Sequence, residues 1–273
     1  MINALFPDDF FAALLQVPLI NRYADYSNSA SSRLAQQRSV NRRQYSVGDS
    51  RKTVDWRASA RASQLLVRPL QDSNTRSLVL CLDRSSSLIS ESQDRDFAQR
   101  RLAFAIAWRC LRQQGRLVIV AGKQVCRISS ITQIAALQDF LEKLSDVDHE
   151  DLDLSLLHAQ DSADELVLLS DTWLNFERLN AARYYAKRLR HVLMITEREA
   201  CLPKQKLKLR HAETGQALAV DWHNNPPQQR FQEFVERQHH QLRSLGFESN
   251  SFYCPAVTEA AQLIEQSREF LLH

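Results

Sequence analysis

Four short runs of branched and apolar residues, Ser77–Leu82 and residues 117–121, 166–169 and 191–196, recur along the chain with longer segments of helical spacing between them. Runs of this length and composition fit strands buried on both faces of a sheet. Their alternation with helices dictates a mostly parallel sheet with right-handed crossovers. The intervening and following segments predict helices over 91–114, 131–144, 153–158, 176–189, 228–245 and 256–272. Gly122 turns the second run straight back into 125–128, and so short a connection implies an antiparallel edge strand. A further strand is expected over 247–253, and residues 206–210 and 216–220 flank Glu213, Thr214 and Gly215 as an inserted β-hairpin. The fold expected is therefore a doubly wound α/β domain over 77–273, with helices on both faces, preceded by a small appendage over 1–76.

Composition agrees with a full core: 44% of the 273 residues are hydrophobic and 25% charged, as in ordinary soluble globular proteins. A formal net charge of +3 neither demands nor excludes a nucleic-acid partner. Cys81, Cys110, Cys126, Cys201 and Cys254 are scattered, odd in number and without a C-x-x-C pair, so they read as reduced thiols in a cytoplasmic protein. The apolar amino terminus is interrupted by Asp8 and Asp9. It lacks a basic leader and the ~20 apolar residues of a membrane span, and is expected to form a docking helix over 8–15, opened by Pro7 and Asp8, with Phe10, Phe11, Leu14 and Leu15 on its apolar side.

Directly after the run Ser77–Leu82, the chain reads Asp83-Arg84-Ser85-Ser86-Ser87. One carboxylate and two hydroxyls thus stand at the carboxyl end of a central strand, where open α/β sheets place their ligand sites. Oxygen donors of this kind suit a hard cation such as Mg²⁺. The competing reading is a polar strand-to-helix turn whose serines cap the helix that follows.

Upstream, Gly48 and Asp49 form a turn signal, and residues 55–62 a short helix that would stack Arg57 and Arg61 on one side, with Trp56 as an anchor pointing elsewhere. Residues 64–70 look like a strand delivering the chain to Ser77. Tyr45, Gly48, Asp49, Arg51, Asp55, Trp56, Ala60, Arg61, Leu65 and Arg68, followed by the Asp83 motif, resemble the signature of the bacterial family called domain of unknown function 58, roughly Y-x-x-G-D-x-x-R-x-x-D-W-x-x-x-A-R. That resemblance implies a von Willebrand factor A-like fold and an association with MoxR-type AAA+ ATPases. Many members carry amino-terminal membrane helices, which this chain does not show.

The resemblance further implies a metal-ion-dependent adhesion site built from three loops. Asp83, Ser85 and Ser87 supply the first, and Asp171, after the run 166–169, stands where the last should be. The middle loop should carry a Thr, yet residues 149–154 read His-Glu-Asp-Leu-Asp-Leu. Glu150, Asp151 and Asp153 are the candidates there, depending on register, and either alignment lacks a neutral hydroxyl, making the site degenerate. A working site would leave Mg²⁺ an open position for an acidic side chain of a partner protein. No His stands in triad order with Ser85 or Ser87, so no catalytic residue is assigned.

Arg38, Arg42, Arg43, Arg51, Lys52, Arg57, Arg61 and Arg68 form a basic cluster, but Asp49 and Asp55 lie among them and internal ion pairing is the stronger reading. His149, His158, His239 and His240 show no zinc spacing and read as surface or structural. The leading expectation is a non-enzymatic adaptor working with a MoxR-type ATPase. A Mg²⁺-dependent phosphohydrolase using Asp83 and Asp171 is the alternative, and weak nucleic-acid binding a third.

Overall fold

A computed structural model of the chain describes residues 4–17, 43–44, 56–62, 64–67, 77–85, 88, 93–144, 163–171, 176–182, 184–196, 206–210, 217–221 and 227–272. It divides into two compact units, Met1–Pro18 with Arg76–His273, and Leu19–Thr75. Helix α1 (Asp8–Gln16) begins with Asp8 and Asp9 in its first turn, where carboxylates favour the helix dipole. Pro7 is its N-cap and, its ring carrying no acceptor, makes no side-chain cap bond. Phe10 and Leu14 are buried, whereas Leu15, expected on the same apolar side, is 64% exposed. The sequence reading grouped this helix with the 1–76 appendage; it packs instead within the larger unit, where the rings of Phe6 and Phe10 meet Phe104 at 4.8 and 6.0 Å between centroids.

In the smaller unit, strand β1 (Arg43–Gln44) pairs antiparallel with β2 (Leu66–Val67), and helix α2 (Trp56–Ala62) lies between them in sequence. The Ser59 hydroxyl ties α2 to β2: it accepts from the Leu66 amide at 2.9 Å and donates to the Leu66 carbonyl at 3.3 Å. Strand β2 starts at Leu66, two residues later than the expected 64–70, and residues 68–70 lie outside the described residues.

The larger unit is built on β3 (Ser77–Leu82), helix α3 (Gln93–Arg112), β4 (Arg116–Ala121), β5 (Gln124–Ile128), α4 (Ile134–Glu142), β6 (Ala163–Ser170), α5 (Phe176–Ala182), β7 (Ala186–Thr196), the hairpin β8 (Lys206–Arg210) and β9 (Ala217–Asp221), α6 (Pro227–Ser244), β10 (Phe247–Cys254) and α7 (Ala260–Leu272). Six strands form one sheet in the order β10-β7-β6-β3-β4-β5, all parallel except the edge strand β5. Chain order reverses between β3 and β6, which makes their carboxyl ends the switch point where sheets of this kind place ligand sites. Gly246, at φ +90, makes the tight turn from α6 into β10 that only glycine enters without strain.

Alternation along β3 sets the two cores. Leu78, Leu80 and Leu82 pack with α1, α3, α4 and α7 on one face, while Val79 and Cys81 meet Leu179 of α5 and Leu242 of α6 on the other. At the amino ends, the Ser77 amide and hydroxyl both donate to Asp164 Oδ2, at 3.0 and 2.9 Å, and the Asp164 amide donates back to the hydroxyl. The Lys187 ammonium and these Ser77 bonds hold the Asp164 carboxyl down at about 2.

Two expectations are corrected. The helix expected over 176–189 stops at Ala182, and residues 186–190 belong to β7. Lys187, Arg188 and Arg190 read as helix formers, but cross-strand partners override that propensity: Arg188 pairs with Glu248 at 2.7 Å and Arg190 with Glu165 at 3.2 Å. The segment 131–144 opens as a single 3₁₀ turn, Ile131–Gln133, before α4, because the Ser130 hydroxyl accepts from the Thr132 amide and tightens the start. The helix expected over 153–158 lies outside the described residues.

Candidate functional site

Asp83 continues the β3 ladder by one bond, its amide donating to Leu169 O of β6 at 3.0 Å. Because Leu82 is opposite Leu169, Asp83 and Asp171 leave adjacent strands at the same end of the sheet, flanking the switch point. Both carboxylates are buried. Asp83 Oδ1 accepts from the Ser85 amide at 2.9 Å, and the Ser85 carbonyl accepts from Leu88 N at 3.2 Å, so the loop after β3 is folded by its own backbone. The fold thus brings Asp83, Ser85 and Asp171 to the same end of the sheet.

Ser87 and the middle-loop candidates Glu150, Asp151 and Asp153 lie outside the described residues. So do Tyr45, Gly48, Asp49, Arg51, Asp55 and Arg68 of the signature and most of the basic cluster. Trp56, Arg57 and Arg61 stand on α2, where Arg61 is exposed.

What the sequence reading missed is the polar underside of this edge. The first turns of α3 carry Arg95, Asp96, Gln99 and Arg100, all buried. The Gln99 amide nitrogen donates to Asp83 O at 3.0 Å and to Leu169 O at 2.9 Å, joining the ends of both strands. Arg84, the residue between Asp83 and Ser85, turns inward: it donates to Asp96 Oδ1 and to Leu144 O, each at 2.6 Å. Asp96 Oδ2 receives Arg100, one turn further along α3. Burial pulls the Arg100 pKa below its ordinary value, with the Asp96 charge and hydrogen bond opposing. Arg95 Nη1 stands 3.6 Å from Asp171 Oδ2, with the two side chains 1% and 0% exposed. In the sequence, the polar positions i and i+4 at 95/99 and 96/100 share one helix side, a pattern that by itself reads as a solvated face.

A second polar network starts beside Asp171. Ser170 Oγ is 2.8 Å from His191 Nε2, and His191 Nδ1 is 2.9 Å from Ser249 Oγ. His239 bridges Ser249 and Ser251 at 2.7 and 2.8 Å. Burial pushes the His191 pKa down to about 3, with His239 adding a smaller repulsion. A serine–histidine pair this deeply buried is out of reach of substrate and too weakly basic to activate a nucleophile near neutrality. His239 is therefore structural, as its surroundings require.

Whether this edge suits a resident divalent cation is decided by charge. Among the described residues, each buried carboxylate beneath the edge already has a guanidinium: Arg84 and Arg100 on Asp96, and Arg95 at Asp171. Like charges about 4 Å apart repel by about 4 kcal/mol per unit pair at an effective dielectric of ~20. A dication beside Asp171 would face Arg95 at close to that range. The described residues do not fit Mg²⁺ as a resident group. Among the described residues, no group of three or more His, Cys, Asp or Glu gathers as a metal cluster. Likewise, no described helix is long and apolar enough to cross a membrane.

A family model described as "Protein of unknown function DUF58" matches residues 41–241. Neither a curated protein nor a solved structure matches the chain.

Proposed function

The chain belongs to the DUF58 family, and on that premise we propose that it is a non-enzymatic, cytoplasmic protein-interaction module of von Willebrand A type that acts with a MoxR-type AAA+ ATPase. The observation that supports this reading is that the chain leaves β3 and β6 side by side at the switch point of the sheet, with Asp83, Ser85 and Asp171 buried at the base of that edge. Such an edge is where α/β sheets recognise their ligands. The buried arginines beneath it have fixed partners, as suits a rigid platform for docking. The described cysteines Cys81, Cys110, Cys126 and Cys254 are free thiols, in keeping with a reducing compartment. Burial pushes the Cys81 thiol up to about 12, which makes it inert.

The test is crosslinking of the tagged full chain in its host cells, followed by mass spectrometry of what is captured. Recovery of an AAA+ ATPase supports the proposal, and its repeated failure to appear counts against it. Turnover of a generic phosphoester that disappears in Asp83→Ala would favour the hydrolase alternative instead.

A further inference from the structure

We infer that the Arg95 guanidinium is the resident cation of this edge: it supplies the positive charge that a divalent ion would otherwise bring to Asp171, and the protein holds its docking edge without metal. Three observations meet in this claim. Arg95 Nη1 lies 3.6 Å from Asp171 Oδ2 in a region closed to water. Arg95 stands one helical turn before Gln99, whose amide fastens Asp83 O and Leu169 O, so the guanidinium has a fixed position relative to both strand ends. Finally, the neighbouring guanidinium groups are engaged elsewhere: Arg84 and Arg100 share Asp96, and Arg95 is the one that faces Asp171 among the described residues.

The chemistry of the two cations differs in ways that matter. A guanidinium keeps its charge across the whole working pH range, cannot be removed by a chelator, and has no exchangeable coordination position. A metal bound by two carboxylates and a hydroxyl would leave with chelator and would offer an open site to a partner's carboxylate. The Arg95 arrangement therefore predicts that partner binding at this edge is insensitive to chelation. This inference rests on the charge arrangement alone and stands or falls separately from the identity of the partner.

Titration of the full chain with Mn²⁺, read by electron paramagnetic resonance, tests it. The wild-type protein is expected to leave free Mn²⁺ at its input concentration and to show the same thermal midpoint in millimolar MgCl₂ as in EDTA. Arg95→Ser, which removes the cation and adds a hydroxyl, is expected to take up about one Mn²⁺ per chain, and the uptake should vanish when Asp171→Asn is added. Arg95→Lys should remain blind to metal. One tightly bound Mn²⁺ in wild type that is lost in Asp171→Asn would overturn the inference. So would a folded Arg95→Ser variant that binds none. Should that variant fail to fold, the wild-type titration still decides the matter.

Discussion

Arg84, on the loop after β3, and Asp96, on the first turn of α3, face each other at 2.6 Å with both side chains nearly sealed from water. A residue inside a strand-to-helix loop has thereby become part of the interior, and the loop is held from below as much as by its own turn. Asp96 also holds Arg100, so one carboxylate serves two guanidinium groups.

Removing that carboxylate should be costly. Asp96→Ala leaves Arg84 and Arg100 buried beside each other without it, and breaking a buried pair in this way costs about 3 to 5 kcal/mol. Urea unfolding should show the loss as a lower midpoint at an unchanged slope. The double variant Arg84→Met with Asp96→Leu should recover part of it, because it removes charges of both signs together.

Gln99→Leu keeps the volume but deletes the amide that bridges Asp83 O and Leu169 O. A loss of about 1 to 3 kcal/mol is expected. Since Asp83 N donates to Leu169 O at the same junction, the Asp83 amide should exchange faster with deuterium in the variant, whereas amides in the middle of β3 should change little. Uniform acceleration along β3 would mean that Gln99 supports the core generally and not this junction.

The histidine network sets an acid limit. His191, held neutral with its pKa down at about 3, and His239, lowered by burial and by Arg243, both bind protons more readily once the chain unfolds. Stability should therefore be full above about pH 6.5 and fall as the pH drops toward 3, by up to about 1.4 kcal/mol per pH unit for His191 alone. Asp164, whose folded pKa is lowered to about 2, adds a loss in the same direction below its ordinary value of 3.8. Unfolding midpoints measured across pH 7 to 4 check this. His191→Phe should flatten the slope, though it forfeits the hydrogen bonds to Ser170 and Ser249.

Phe10→Ala should detach α1 from the core. Phe10 is fully buried between Phe6 and Phe104, and truncations of this size cost about 3 to 5 kcal/mol. Protease cleavage within α1 should be faster in the variant than in wild type.

The parallel sheet was legible because β3, β4 and β6 are short, apolar and separated by helical spacing, and the antiparallel edge because Gly122 left no room for a crossover. Asp83 and Asp171 could be found for a related reason: each ends such a run. Arg95 could not. A charged residue in the first turn of a helix ordinarily faces water, and nothing in QDRDFAQRR says that this turn passes beneath the strand ends. Residues 186–190 misled in the same way, since their Lys and Arg favour helix in isolation and only the carboxylates of Glu165 and Glu248 on neighbouring strands make them a strand. In both places the missing information was a partner distant in sequence. Side-chain charge is read locally, but its neutralisation is decided by the fold.

The most direct measurement is a crystal of the wild-type protein soaked in Mn²⁺ and examined by anomalous scattering at the carboxyl ends of β3 and β6. The account predicts no peak between Asp83 and Asp171 and clear density for the Arg95 guanidinium against the Asp171 carboxylate. A Mn²⁺ peak coordinated by those two aspartates, with Arg95 swung away, would contradict it.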